Sequence, residues 1–390
     1  MTGRKGASSG AKATASNNTK KPPKKTQTRL SSKDAQIEHD QRHTISDQDR
    51  KRQQRVLDVF RHAFHDVLSS SSLTATLQSV KQALYDRDFA RAFGDPEHLD
   101  VYAARWSPTR ALCYASVLSG IKEHLKLLIL SKPFDVTPTD EHDGDETRAP
   151  PTSDLPPSQN LKLLSIGGGA AELVAFGAFL SQHPSPMSGS ITLLDSGPWE
   201  PVITKLTTAI TTPPPISKYA TAPAKLSNTA LIPPSHLAPT FLQQDALALS
   251  TSDLASLLGT DPLLVTILFT LNELFTASGI GKTTTFLLNL TSAVPLGSIL
   301  LVVDSPGSYS ETSVGKEAKR YPMQWLLDRI MLGTRREPVH GRRWAKVESA
   351  DSVWFRLDVA GLEYPIPLEN MRYQLHLYRA EDASIGDDDQ

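Results

Sequence analysis

Gly167, Gly168 and Gly169 close the apolar run LKLLSI, and Asp195 closes the run SITLLD, 28 residues after Gly167. Glycines at a strand end permit a tight turn and close backbone approach, and the helix that follows offers an amide-rich N-terminus. A carboxylate at the next strand end can accept hydrogen bonds from both hydroxyls of a ribose. The plainer alternative is that Asp195 caps a helix beside Gly197 and Pro198. A dinucleotide fingerprint would place a further glycine where Glu172 stands, so the loop reads as a general nucleoside-binding turn. Three more apolar runs end in polar groups: Asp245 and Ala246 in QQDAL, Asn272 and Glu273 in TLNELF, and Asp304, Ser305 and Tyr309 in VVDSPGSY. Asp245 can meet an adenine amino group or simply cap a helix, and the last cluster is either a substrate turn or a plain Pro-Gly turn.

The stretch TASGIGKTTTF offers a competing chemistry. A nucleotide-triphosphate loop needs a glycine, four residues, then Gly-Lys-Ser/Thr, and Thr276 stands where that first glycine belongs. The stretch also lies beyond Phe269, the end of its apolar run, whereas a phosphate loop springs directly from a strand. It is therefore expected to be a flexible connection whose Thr283 to Thr285 begin a helix, with Lys282 free to meet a phosphate.

Such groups act together only if one frame aligns the strand ends. The runs LKLLSI, SITLLD, a strand near TFLQQ, LLVTILF and SILLVVD alternate with helical segments, which predicts a mostly parallel, doubly wound α/β sheet of Rossmann-like type. In that architecture ligands sit beyond the carboxyl ends of the strands. Apolar residues three and four apart (Val56, Phe60, Phe64, Val67; then Leu73, Leu77, Val80, Leu84) predict helices ahead of the sheet. A third helix is expected over YAARWSPTRALCYASVLSGIKEHLKLLIL, with Ser107 as cap and Pro108 in the first turn. The expected organisation is a disordered basic tail (1–48), a helical cap (49–132), an acidic Pro-rich linker (133–160), the main domain (161–380) with a mobile Pro-rich insert (211–239), and an acidic tail (381–390).

Composition suits a soluble globular protein: 39% apolar and 21% charged residues over 390, with a net charge of -1. The charge is uneven, because Met1 to Lys33 holds nine basic residues and no acidic one. Its core KKPPKKTQTR fits a nuclear-import signal or a nucleic-acid-binding arm, with a merely solubilising tail as the alternative. A lone Cys113 excludes an intramolecular disulfide, and LLVTILF is too short to cross a bilayer. An intracellular protein is expected. In GTRREPVHGRRWAK, Arg335, Arg336, Arg342, Arg343 and Lys346 surround His340 and Trp344, a composition for pairing with phosphate and stacking on bases, or for a solvated loop. The pair Arg105 and Trp106 carries the same two readings, with Trp106 packed.

The segments YAARWSPTRALCYA, LSIGGGAAEL, LLDSGPW, FTLNELF, LLVVDSPGSY and PIPLENMRYQLHLYR together resemble the fungal family of large-subunit (25S) ribosomal RNA uridine-N3 methyltransferases, within the class I S-adenosylmethionine-dependent methyltransferases. The resemblance covers roughly Val101 to Arg379, excluding the acidic linker and the Pro-rich insert. It implies a Rossmann-like fold with Gly167, Gly168 and Gly169 against the methionine part of S-adenosylmethionine, Asp195 on its ribose, Asp245 and Ala246 on its adenine, and Asn272 with Glu273 facing the methyl group. For methyl transfer to a uridine nitrogen, Asp304 or Glu273 is the candidate base or base-orienting group, and Arg105, Ser305, Tyr309, Arg342 and Arg343 are the candidate RNA contacts. It further implies action on rRNA of the pre-ribosomal large subunit, without metal or membrane, as a monomer in the nucleus (nucleolus) and/or cytoplasm. Ser165 departs from the class pattern, in which an acidic residue often precedes the glycines. Two other classes stay open at this point: an RNA-binding or ribosome-assembly protein on a methyltransferase-like fold without catalysis, and an ATPase using Lys282.

Overall fold

The computed structural model describes residues 46–130, 160–183, 187–314, 317–333 and 341–383. The basic tail through residue 45, the linker through residue 159, and Arg335, Arg336 and His340 lie outside them.

Before the first described strand the chain forms α1 (Asp47–Ala63), α2 (His65–Leu68), α3 (Leu73–Tyr85), α4 (Phe89–Phe93), α5 (Pro96–Arg105), α6 (Ser107–Gly120) and α7 (Lys122–Leu130). Ser46 caps α1 by accepting from the Asp49 amide, and Asp95 caps α5 ahead of Pro96. The single helix expected over YAARWSPTRALCYASVLSGIKEHLKLLIL is divided in three, with breaks at Trp106 and Ile121. Ser107 lies inside α6 and makes no cap bond, although Pro108 does occupy the first turn. α6 is apolar on nearly every side and is buried accordingly, including Cys113, whose thiol burial pushes up to about 12.

The main sheet has the order β3-β2-β1-β4-β5-β9-β8. β1 (Asn160–Ile166), β2 (Ser188–Asp195), β3 (Leu237–Gln243), β4 (Leu264–Leu268) and β5 (Ile299–Asp304) are parallel. β6 (Tyr309–Val314) and β7 (Glu317–Pro322) form a separate hairpin. β8 (Arg342–Phe355) and β9 (Met371–Asp382) complete the sheet as antiparallel strands, β9 lying beside β5. Every residue of β4 and β5 is buried because helices cover both faces, which is why these strands read as unbroken apolar runs.

The helices between strands are α8 (Ala170–Ser181), α9 (Glu200–Thr211), α10 (Ala222–Ser227), α11 (Thr251–Leu258), α12 (Leu271–Glu273), α13 (Ile280–Ala293) and α14 (Met323–Met331). One core unites α1, α5, α6, α8 and α9 with one face of the sheet; the other joins α11, α13 and α14 to the opposite face. The N-terminal helices thus share a continuous core with the sheet, so the described residues form one compact unit.

The Pro-rich segment contains regular structure. α10 lies within it, and Pro239 belongs to β3, paired opposite Ile191. β3 is an edge strand, where a residue without an N–H costs no ladder hydrogen bond on the open side. The helix containing Lys282 begins at Ile280 rather than among Thr283 to Thr285, after a π-helical turn over Leu274–Ser278 and Gly279 at φ +88°.

Candidate active site

Beyond the carboxyl ends of β1, β2 and β4 lies a cavity of about 320 Å³, at the lower end of the range for small-molecule sites. Gly167 and Gly169, Asp195, Asp245 with Ala246, and Glu273 all line it. Those residues come from four different strand ends, and the parallel register of β1 with β2 and β4 brings them level. α5 and α6 close the cavity from the side with Tyr102, Ser107 and Arg110, and Phe269 contributes from the end of β4.

Gly167 starts the turn at φ +66°, a conformation that side-chain-bearing residues rarely adopt. A Cβ added there would also overlap the Thr270 side chain. Gly167→Ala is expected to lower the melting temperature by about 2–8 °C, from ~1–2 kcal/mol of left-handed strain at ~2–4 °C per kcal/mol in a chain of this size. An unchanged melting curve would show that the turn tolerates a side chain. Gly168 does not line the cavity; it packs against Ser165, whose hydroxyl accepts from Thr266 at 3.0 Å. The position that bears an acidic residue in related patterns is therefore a buried neutral contact between β1 and β4.

Two of the cavity carboxylates, Glu273 and Glu172, lie in the field of one guanidinium, that of Arg110. Burial pushes the Glu273 carboxyl up to about 7 against the pull of Arg110, and the charges of Asp304 and Asp195 add to the push. Burial likewise raises Glu172 to about 7, although its carboxylate accepts from the Gly169 amide at 2.8 Å. Asp195 is raised to about 6 by burial, opposed by hydrogen bonds from the Gly197 amide (2.7 Å) and the Trp199 indole. Arg110 donates to the Tyr102 hydroxyl and lies 5.4 Å from the Phe269 ring centroid. Acids held above their ordinary range by desolvation favour a positively charged occupant, because a cation would repay the burial of their charge. The glycine turn, the carboxylate at the end of β2 and this surplus of acids fit an adenosine-bearing sulfonium cofactor.

Arg110, Glu172 and Phe269 are functional candidates that sequence reasoning did not single out. Arg110 stands inside YAARWSPTRALCYA as the one charged residue of α6, a signal that was present in the sequence. Phe269 has φ +56°, strained for a bulky residue, and that backbone state has no sequence signature.

Several expected site residues lie elsewhere. Asp304 is 3% exposed and absent from the cavity wall; its oxygens accept from the amides of Asn272 (3.0 Å) and Ser305 (2.7 Å) and from the Ser308 hydroxyl (3.3 Å). These three hydrogen bonds engage most of the ~four lone-pair sites of the carboxylate and tie Asp304 to two turns, an arrangement that suits a scaffold role. Asn272 is likewise outside the wall, and its Oδ1 is buried without a partner. Ser305 sits in the turn after β5, where its carbonyl accepts from Gln374 at 2.7 Å, and Tyr309 opens β6. Arg105 is ion-paired with Glu369. Arg342 and Arg343 pair in register with Asp382 and Glu381, while Asp304 pairs with Gln374, so these arginines lie at the end of the sheet away from the cavity. Trp344 is buried with its indole donating to Thr291 at 2.9 Å, and Lys346 is bound to Asp328 at 2.9 Å, so neither serves as the expected RNA contact. Asp245 lines the cavity and also caps the next turn, its carboxylate accepting from the Leu247 amide at 2.9 Å.

Among the described residues no cluster of three or more His, Cys, Asp or Glu is placed to hold a metal ion, and no helix is long and apolar enough to cross a membrane.

Comparison with known proteins gives a family match and a curated relative. Residues 60–379 match the family model described as "Putative SAM-dependent methyltransferase". The 25S rRNA (uridine(2843)-N(3))-methyltransferase of Saccharomyces cerevisiae is 32% identical over 354 residues, which is 83% of this chain and 85% of that protein. Among solved structures, the antibiotic-resistance methyltransferase Kmr is 14% identical over 57% of this chain and 87% of its own, with a TM-score of 0.29. The 16S rRNA (adenine(1408)-N(1))-methyltransferase from Catenulisporales acidiphilia is 15% identical over 57% and 88%, with a TM-score of 0.32. On the extent of the family match and of the yeast relative, the chain belongs to the family of S-adenosylmethionine-dependent methyltransferases.

Proposed function

We propose that this chain methylates N3 of a uridine in large-subunit (25S) rRNA, acting as a monomer on the pre-ribosomal large subunit in the nucleus (nucleolus) and/or cytoplasm. The choice of target rests on the similarity to the yeast enzyme. The observation that carries the chemistry is Glu273, which reaches the cavity wall with its carboxyl pushed up to about 7.

Gly167 and Gly169 would hold the methionine part of the cofactor, Asp195 its ribose, and Asp245 with Ala246 its adenine. Bound S-adenosylmethionine supplies an electrophilic methyl group on a sulfonium leaving group. The uridine imide nitrogen must lose its proton to become nucleophilic. Glu273 would take the N3 proton and later release it to solvent, so that N3 presents an electron pair toward the methyl group, whose bond to sulfur would break with its electrons passing to a neutral thioether. A carboxyl near 7 is matched to that task, being ionised in part at neutral pH yet more basic than an ordinary glutamate. Arg110 stabilises the ionised form, and Tyr102 and Phe269 help to exclude water.

Mass spectrometry of rRNA nucleosides from cells lacking this protein tests the target. Loss of 3-methyluridine from one site of the large-subunit rRNA is expected; an unchanged amount would overturn the assignment.

A further inference from the structure

Trp354 is 52% exposed, an unusual condition for the largest apolar side chain in a folded domain. Two guanidinium groups lie against it: the Arg356 Cζ is 5.2 Å and the Arg372 Cζ 5.6 Å from its ring centroid. Arg372 is further aimed by its Nε, which donates to the Ser352 hydroxyl at 2.8 Å. Neither arginine pairs with a carboxylate among the described residues, unlike Arg105 with Glu369, Arg343 with Glu381 and Lys346 with Asp328.

The register fixes where this cluster stands. β9 pairs Gln374 with Asp304, the last residue of β5, and β8 pairs Trp354 with Arg372. Arg372 and Trp354 therefore project ~7 Å past the carboxyl end of β5, at ~3.3 Å per residue. That is the end of the sheet at which the cavity opens. β8 is three strands from β4, so the platform stands ~14 Å to the side of the cavity, at ~4.8 Å per strand.

Resting on the reading above that the substrate is RNA, we propose that Trp354, Arg356 and Arg372 form a docking platform for a single-stranded nucleotide flanking the target uridine. The indole stacks on the base and the two guanidinium groups engage the adjoining phosphates. An exposed aromatic surface beside unpaired positive charge matches the two invariant features of a single strand, its π-faces and its phosphates. The distance from the cavity suits a neighbour of the methylated nucleotide rather than that nucleotide itself. This platform takes the place of the Arg342 and Arg343 region, which lies at the other end of the sheet.

The test measures binding of a labelled single-stranded oligouridylate to the full chain by fluorescence anisotropy at several salt concentrations. Trp354→Ala is expected to weaken binding about tenfold, the loss of one base stack, and Trp354→Phe to restore most of it. The double variant Arg356→Ala/Arg372→Ala is expected to flatten the salt dependence by about 1.4 in log-log slope, at ~0.7 per phosphate on a single strand. Both should keep wild-type affinity for S-adenosylmethionine, which reports an intact fold and cavity. Wild-type RNA affinity in both variants would overturn the proposal and leave the cluster as a protein-docking surface. A wild-type chain that binds no RNA would overturn the substrate reading itself, a result distinct from failure of the platform alone.

Discussion

Glu273→Gln is expected to lower the rate of methyl transfer by about 10²–10⁴, the usual contribution of a positioned general base, when read at saturating S-adenosylmethionine, since loss of one acid from the cavity also weakens binding of a cationic cofactor. The substitution keeps the size of the side chain but replaces an anionic acceptor beside Arg110 with a neutral amide that cannot accept a proton. Single-turnover kinetics on unmodified rRNA would read the effect without interference from product release. A wild-type rate in the variant would eliminate Glu273 and turn attention to Glu172, the other cavity carboxyl pushed up to about 7.

The pH dependence follows in both activity and stability. Catalysis needs the ionised form, so the wild-type kcat/KM, which reports the free enzyme, should climb as pH rises through about 7 and the variant should lose that limb. For stability, the folded state holds this proton to a higher pH than the unfolded chain, whose glutamate titrates near its ordinary 4.5. The folded state therefore binds more protons between those values, and the Glu273 contribution to stability declines as pH rises from about 4.5 through about 7. Glu273→Gln removes this decline, so its melting temperature should gain on wild type as pH is raised across that window. Glu172 and Asp195 behave in the same direction and remain in the variant.

The parallel half of the sheet was legible because its physics leaves a mark in composition. β4 and β5 are buried on both faces and must be apolar throughout, and their ends must be polar to meet solvent and ligand. Gly167 and Asp195 were found for that reason. β8 left no such mark, because it is a largely exposed edge strand with register shifts at Lys346/Glu348 and Ala350/Val353, which break the period-two pattern. The basic residues around Trp344 illustrate a deeper limit: charge density in the sequence does not say which end of a sheet a strand presents. Likewise Asp304 and Glu273 are both carboxylates beside strand ends, and only the hydrogen bonds from Asn272, Ser305 and Ser308 separate the scaffold group from the one that reaches the cavity. Arg110 escaped notice because a charged residue on an apolar helix becomes informative only once Tyr102, Glu172 and Phe269 are seen around it.

Asp195→Ala is expected to weaken S-adenosylmethionine binding by about 10²–10⁴, since two hydrogen bonds from ribose hydroxyls to a carboxylate are worth ~1.5–3 kcal/mol each and ~1.4 kcal/mol is tenfold. Two of the carboxylate's lone-pair sites already serve the Gly197 amide and the Trp199 indole, and the remainder are available to a ligand in the cavity. Removing the side chain therefore also loosens the Gly197 turn, and lost affinity in the alanine variant alone would not separate a ribose contact from a collapsed loop. Asp195→Asn separates them. The asparagine Oδ1 can still accept from Gly197 and hold the turn, but its amide cannot act as an anionic double acceptor. If Asp195 binds ribose, calorimetry should find both variants weak and both folded; if it only shapes the turn, asparagine should bind the cofactor as wild type does, and the ribose assignment falls.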